Sequence, residues 1–176
     1  MRHRNALLIG VILASLFTMA RAQVPPVANP DQLSMLKSSD PILARNKRLV
    51  FDFWRIVFEG GHMDRAPEFM TKEYIQHNPN VKSGRAAFIA TISKVRPPKP
   101  IAPRIKVPVI AITADGHFVT VATVRKVRDP RNPEHVYYMT WFDMFRLNDK
   151  GLIAEHWDSS PMWGKEGRPL GAEFLP

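Results

Sequence analysis

The run Val136-Tyr-Tyr-Met-Thr-Trp-Phe-Asp-Met-Phe-Arg-Leu147, the turn Asn148-Asp-Lys-Gly151 and the run Gly151-Leu-Ile-Ala-Glu-His-Trp-Asp158 decide how this chain is read. An Asn/Asp/Gly cluster between two apolar, aromatic-rich runs predicts a β-hairpin. Side chains two apart on a strand share a face. His156 and Asp158 therefore point the same way, and Trp141, Asp143, Phe145 and Leu147 form one face of the preceding strand. Asp143 is the one ionisable group on that apolar face. A carboxylate there is costly unless it is paired or put to use.

Working outward, two more strands are expected before the hairpin, Ile105 to Thr113 and His117 to Arg128, joined by the turn Ala114-Asp-Gly116. Asp129-Pro-Arg-Asn-Pro133 links them to the hairpin as a loop. The N-terminal half reads differently. Asp40 before Pro41 is an N-cap followed by proline at the first helical position. Ile42/Leu43, Leu49/Val50, Phe53/Trp54 and Val57/Phe58 then mark one buried helix face, which Gly60-Gly61 ends. Asp64 is expected to cap a short second helix through Phe69-Met70, with Pro67 tolerated in its first turn. Lys72 to Asn80 is a short extended piece, and Ser83-Gly84 opens a helix through about Lys94. Helices first and a meander of antiparallel strands afterwards make an α+β domain, with helices on one face of a curved sheet.

The 176 residues suit one domain with a core large enough to surround a ligand. Met1 to Asn5 is basic, Ala6 to Ala20 is apolar, and Ala20-Arg-Ala22 fits a small-x-small cleavage site, the pattern of a signal peptide over residues 1–22. Cleavage before Gln23 would remove three arginines and no acid, lowering the formal charge from +9 to +6. The remaining basic residues are interspersed, which suits solubility and forms no stripe for nucleic acid. The apolar run is too short for a permanent membrane span, so the expected location is periplasmic or secreted. With no cysteine in the chain, disulfides and thiol chemistry are excluded. Residues 23–39, rich in proline at their start, read as an extended linker, 40–161 as the domain and 162–176 as a C-terminal tail. Arg96-Pro-Pro-Lys-Pro-Ile-Ala-Pro-Arg104 is a basic connection, read either as a stiff solvated loop or as a contact for an anionic partner.

The segments Tyr74-Ile-Gln-His-Asn-Pro79 followed by Gly84, and Phe142-Asp-Met-Phe-Arg146 followed by Gly151 to Asp158, resemble the SnoaL-like, polyketide-cyclase-type branch of the nuclear transport factor 2-like superfamily. The likeness spans roughly Asp40 to Pro161. It implies a cone, or cystatin-like half-barrel, in which a curved antiparallel sheet wraps around N-terminal helices and encloses one deep apolar pocket. Dimerisation through the outer sheet face is implied as well.

The resemblance also implies site residues. Asp143 matches the place where ketosteroid isomerases keep a protonated aspartic acid that donates to an oxyanion. Loss of solvent in an apolar cavity would favour the neutral form of such a group. The tyrosine that partners it falls at about Trp54, whose indole N–H can donate. The isomerase base falls at Asn78, or at His77 one residue away, and an amide cannot be a base. His77, His156 and Asp158 thus become the proton-moving candidates, with Tyr74, Asn78 and Trp54 as ligand contacts. For a SnoaL-like cyclase, Asp158 matches the carboxylate that removes a C–H proton, with His156 beside it to fix charge and orientation.

The implied function is cofactor-independent acid/base catalysis, of aldol cyclase, isomerase or dehydratase type, on a small apolar carbonyl or hydroxy-aromatic compound. No cofactor or metal is called for. Plainer readings stand beside it. His156 and Asp158 could stitch the last strand in place, Asp143 could pair with Arg146 or Arg55, His77 could be a turn residue and His62 a loop residue. A metal site from His62, His77, His156 and Asp158 lacks a motif such as His-Glu-x-x-His. The alternative function is a binding domain that keeps the cavity without the chemistry.

Overall fold

The computed structural model describes residues 24–129, 132–162 and 164. The expected signal peptide lies outside the described residues, as does nearly all of the expected tail. Helix α1 (Pro41–Phe53) begins where Asp40 caps it: the carboxylate accepts from the backbone N–H of Ile42 at 2.7 Å and of Leu43 at 3.4 Å. The helix does not run straight to the glycines. It widens into a π turn at Trp54–Phe58, closed by Glu59 N–H donating to Trp54 O at 2.8 Å. The buried face also differs from the expected one. Ile42 is 52% exposed, whereas Asn46 and Lys47 are buried and satisfied by Gly116 O and Lys37 O. A polar residue can hold an inner helical position when a backbone oxygen meets it.

A 3₁₀ turn at Met63–Glu68 replaces the second helix. Asp64 lies inside it and does not cap it, because the cap position falls on His62. Strand β1 (Met70–Gln76) leads to helix α2 (Arg85–Ile92), and then come β2 (Val109–Asp115), β3 (Phe118–Asp129), β4 (Asn132–Leu147) and β5 (Ile153–Asp158). The expected hairpin turns at Gly151, whose φ of 79° suits glycine. The sheet order is β1-β5-β4-β3-β2. Strands β2 to β5 form the antiparallel meander, but β1 joins β5 in parallel, so the sheet is mixed rather than wholly antiparallel. The long α2-to-β4 excursion lets β1 and β5 run in the same direction.

Within the segment expected as a linker, Asn29 to Leu36 are fastened to the domain, Asn29 N–H donating to Val109 O at 2.8 Å, while Val24 and Val27 stay exposed. The Gln32 side chain exchanges two hydrogen bonds with the backbone of Ile105, and Leu36 enters the core. A primary amide mimics a strand edge, which is enough to fasten an otherwise proline-rich segment. Helix α1 and the π turn that follows it place Val50, Phe53, Trp54 and Val57 in one core cluster with Phe69, Phe88, Phe145 and Leu147. Phe53 touches the rings of Phe69, Phe88 and Phe145 at centroid distances of 5.9–6.3 Å. This aromatic packing holds the helix over the concave side of the curved sheet, where the site is found. Among the described residues, no helix is long and apolar enough to cross a membrane.

Candidate active site

A cavity of about 640 Å³ lies between the helices and the sheet. Its walls include Trp54 from the π turn, Tyr74, Gln76 and Asn78 from β1 and its extension, Trp141, Asp143 and Phe145 from β4, and His156 and Asp158 from β5. The size suits a ligand of two or three fused rings. Six of the seven residues singled out from the sequence line it.

His77 is the exception. Strand alternation turns Tyr74, Gln76 and Asn78 inward and His77 outward. Its imidazole stacks on Trp157 with ring centroids 4.6 Å apart and planes 5° from parallel, and Nε2 lies 3.1 Å from Glu155 Oε2. It is thus a surface residue, and Asn78 occupies the inward place.

The imidazole of His156 is 7% exposed and contacts the Phe145 ring at a centroid distance of 4.7 Å. It does not bond to Asp158. Its Nε2 lies 3.1 Å from Asp143 Oδ1, and its Nδ1 lies 2.9 Å from Gln76 Oε1. The cross-strand register explains the choice: Phe145 faces His156 and Asp143 faces Asp158, so the imidazole leans diagonally across the ladder.

Gln76 settles the tautomer. The backbone N–H of Asn78, an unambiguous donor, meets Gln76 Oε1 at 3.1 Å, and Gln76 Nε2 donates to the Tyr74 hydroxyl at 2.9 Å. With its oxygen end fixed, Gln76 can only accept from His156, so Nδ1 carries a proton. Nε2 is left to share one proton with Asp143. The second oxygen of Asp143, Oδ2, is buried with no partner, and so is the indole N–H of Trp54. Two unmet polar groups on residues that line the same cavity, one from the helical side and one from the sheet, suit a polar group of a ligand.

Asp158 has different company. Asn78 Nδ2 reaches both of its oxygens, at 3.0 and 2.8 Å, and Ser160 N–H donates to Oδ1 at 2.9 Å. It is surrounded by donors and is set to accept. Burial, and then the nearby carboxyls of Asp158 and Asp143, push the Tyr74 phenol far above its usual range. Tyr74 therefore keeps its proton, and because its oxygen already accepts from Gln76, that proton is available to the cavity.

Arg55 and Arg146, the sequence's alternative partners for Asp143, are used elsewhere. Arg55 bonds Asp52 at 2.8 Å, and Arg146 bonds Glu155 on the outer face, with Nε to Oε1 at 2.8 Å. His62 bonds the Lys99 carbonyl. The four-residue metal set considered from sequence is therefore dispersed. Asp143, His156 and Asp158, however, each place a ligand-type atom within 4.8 Å of the others, and could together hold a divalent cation. Gln76 escaped the sequence reading although the signal was present, since it alternates with Tyr74 and Asn78 on one strand face.

The SnoaL-like domain family matches residues 50–156. No curated protein matches the chain. Similar solved structures include a candidate polyketide cyclase from Acidithiobacillus ferrooxidans, 15% identical, covering 69% of this chain and 89% of that one with a TM-score of 0.47. IdmH, a candidate polyketide cyclase from Streptomyces antibioticus, is 18% identical over 64% of this chain and 89% of its own, with a TM-score of 0.45. The Δ5-3-ketosteroid isomerase from Mycobacterium sp. is 19% identical over 72% and 95%, with a TM-score of 0.42. These likenesses concern fold and carry no substrate across. With the matched segment spanning most of the folded core, this chain belongs to the SnoaL-like domain family.

Proposed function

We propose that the protein is a cofactor-independent acid/base enzyme that moves a proton next to a carbonyl of a small, mainly apolar compound. The observation that carries this reading is the pair of carboxyls in unlike surroundings on one cavity wall: Asp158 held by donors alone, and Asp143 sharing a proton with His156. In this mechanism Asp158 takes the proton from the carbon beside the carbonyl. The electrons of the broken C–H bond move to the carbonyl oxygen, which accepts hydrogen bonds from the Tyr74 hydroxyl and from Asp143 protonated on Oδ2, the oxygen that His156 leaves without a partner. Where the substrate carries a neighbouring double bond, return of the proton from Asp158 to the far carbon of the dienolate gives isomerisation; where the enolate carbon attacks a second carbonyl, the same proton passes to the new alkoxide and completes aldol closure. The aromatic walls orient the ligand and exclude water, which supports both outcomes.

The test is binding of 2-naphthol, a planar stand-in for the enol of 2-tetralone. It should raise the melting temperature of the protein, and naphthalene, which lacks the hydroxyl, should do so much less. Equal effects of the two would overturn the reading, because the polar wall would then contribute nothing. The proposal includes export, supported by the Ala20-Arg-Ala22 pattern. The exported protein should have the mass of a chain starting at Gln23, and a mass that includes residues 1–22 would contradict it.

A further inference from the structure

A second cavity, of about 300 Å³, shares Trp54, Phe58, Arg96 and Arg125 with the first. Four cationic side chains line it, Arg96, Lys99, Lys106 and Arg125, against one carboxylate, Glu59. That carboxylate is already engaged: Glu59 Oε2 accepts from Lys106 N–H at 2.7 Å and Oε1 from Val107 N–H at 3.0 Å. Among the described residues, none of the four cations has an acidic partner. The guanidinium groups of the two arginines sit over aromatic rings, Arg96 over Phe58 at 4.9 Å and Arg125 over Trp141 at 5.7 Å. An aromatic ring accepts no ordinary hydrogen bond in the plane of the guanidinium, so these contacts leave N–H groups for a planar or tetrahedral oxyanion. Arg125 Nε is buried and has no acceptor.

The basic connection that supplies Arg96 and Lys99 is held in place. Lys99 N–H donates to Gly60 O at 2.8 Å, and a Cβ on Gly61, whose φ is 75°, would come within 2.5 Å of the Pro97 oxygen. Glycine there lets the connection lie directly on the end of the π turn. A loop fastened at this point, with its cations turned to one cavity, is more than a solvated spacer.

We propose that the smaller cavity binds the anionic head group, a carboxylate or a phosphate ester, of the molecule whose apolar body fills the larger one. This rests on the reading of the larger cavity as the substrate chamber. It narrows the substrate class to apolar carbonyl compounds that carry a terminal anion, held by Arg96 and Arg125 across the Trp54 wall from Asp143 and His156.

Isothermal titration in low salt, without phosphate buffer, tests it with 2-naphthoate, 2-naphthyl phosphate and the neutral 2-naphthamide. At least one anion should bind about tenfold more tightly than the amide, as expected for one charge-assisted hydrogen bond. The tighter anion identifies the head group. The double variant Arg96→Gln/Arg125→Gln should lose this preference, binding the anions within about twofold of 2-naphthamide whatever its affinity for the amide. Lys99→Gln/Lys106→Gln, at exposed positions, gives a second test should the first variant fail to fold. Lys72→Gln/Lys82→Gln removes the same charge at remote exposed sites and should keep the preference. Equal binding of all three ligands to the unaltered protein would overturn the proposal. So would a preference that survives the cavity variants, or one that the remote variant abolishes equally. Because binding is read without turnover, failure of proton transfer leaves this result intact, and loss of anion preference leaves the proton-transfer test intact.

Discussion

His156 Nε2 lies 3.1 Å from Asp143 Oδ1 on the neighbouring strand, although Asp158, two residues along its own strand, is on the same face. The separation leaves one carboxyl coupled to an imidazole and the other free of it. Gln76 enforces the arrangement from the opposite side of the ring.

The tautomer is directly measurable. Nitrogen-15 NMR should show the His156 proton on Nδ1 when the ring is neutral. In Gln76→Leu, which removes the acceptor, both tautomers should be populated. A ring protonated only on Nε2 in the unaltered protein would contradict the orientation assigned to Gln76.

Much of this was legible in the sequence. The Asn148–Gly151 turn marked the hairpin, and strand alternation put His156 and Asp158 on one face of β5 and Asp143 on the apolar face of β4, whereas the irregularity between Arg146 and Leu147 that sets the register was not legible. The partner of His156 was not legible, because a side chain on a ladder can lean along its strand or across it, and only the diagonal packing of Phe145 and Gln76 decides. His77 was hidden by a one-residue choice of phase in a strand ended by Asn78-Pro79. The parallel β1–β5 pairing depends on contacts 78 to 80 residues apart, visible in His77 with Glu155 and Asn78 with Asp158, which no local pattern encodes.

On the outer face, hydrogen bonds from His77 and then Arg146 hold the Glu155 carboxyl below its usual range. A lowered folded-state value means stability that is present above the ordinary carboxylate value and lost as pH falls through the folded one. Glu155→Gln should therefore destabilise the protein at neutral pH by about 1 kcal/mol or less, as for a largely surface pair, and the difference should shrink progressively as pH falls below the ordinary carboxylate value. Urea unfolding over a series of pH values from neutral into the acid range checks it; a difference that does not shrink with falling pH would assign the effect to packing.

Phe142 is 53% exposed and Phe118 41% exposed on the face of the sheet away from the cavity. We propose that a second copy of the chain covers them. Light scattering at micromolar concentration should give a dimer mass, and Phe142→Glu should shift it toward monomer. A monomer mass for the unaltered protein would contradict this.

The central claim, that Asp158 removes a proton beside a carbonyl while Asp143 and His156 support the developing charge, is tested most directly by hydrogen–deuterium exchange. The rate at which 2-tetralone takes up deuterium at its carbonyl-adjacent carbons in D₂O is read by proton NMR. The protein should accelerate this exchange by about 100-fold or more over buffer. Asp158→Asn should reduce the acceleration to near background with the fold intact, His156→Gln should reduce it substantially, and Asp143→Asn, which keeps a hydrogen-bond donor, should be milder than Asp143→Leu. Exchange no faster than in buffer, or acceleration that survives in Asp158→Asn, would contradict the account.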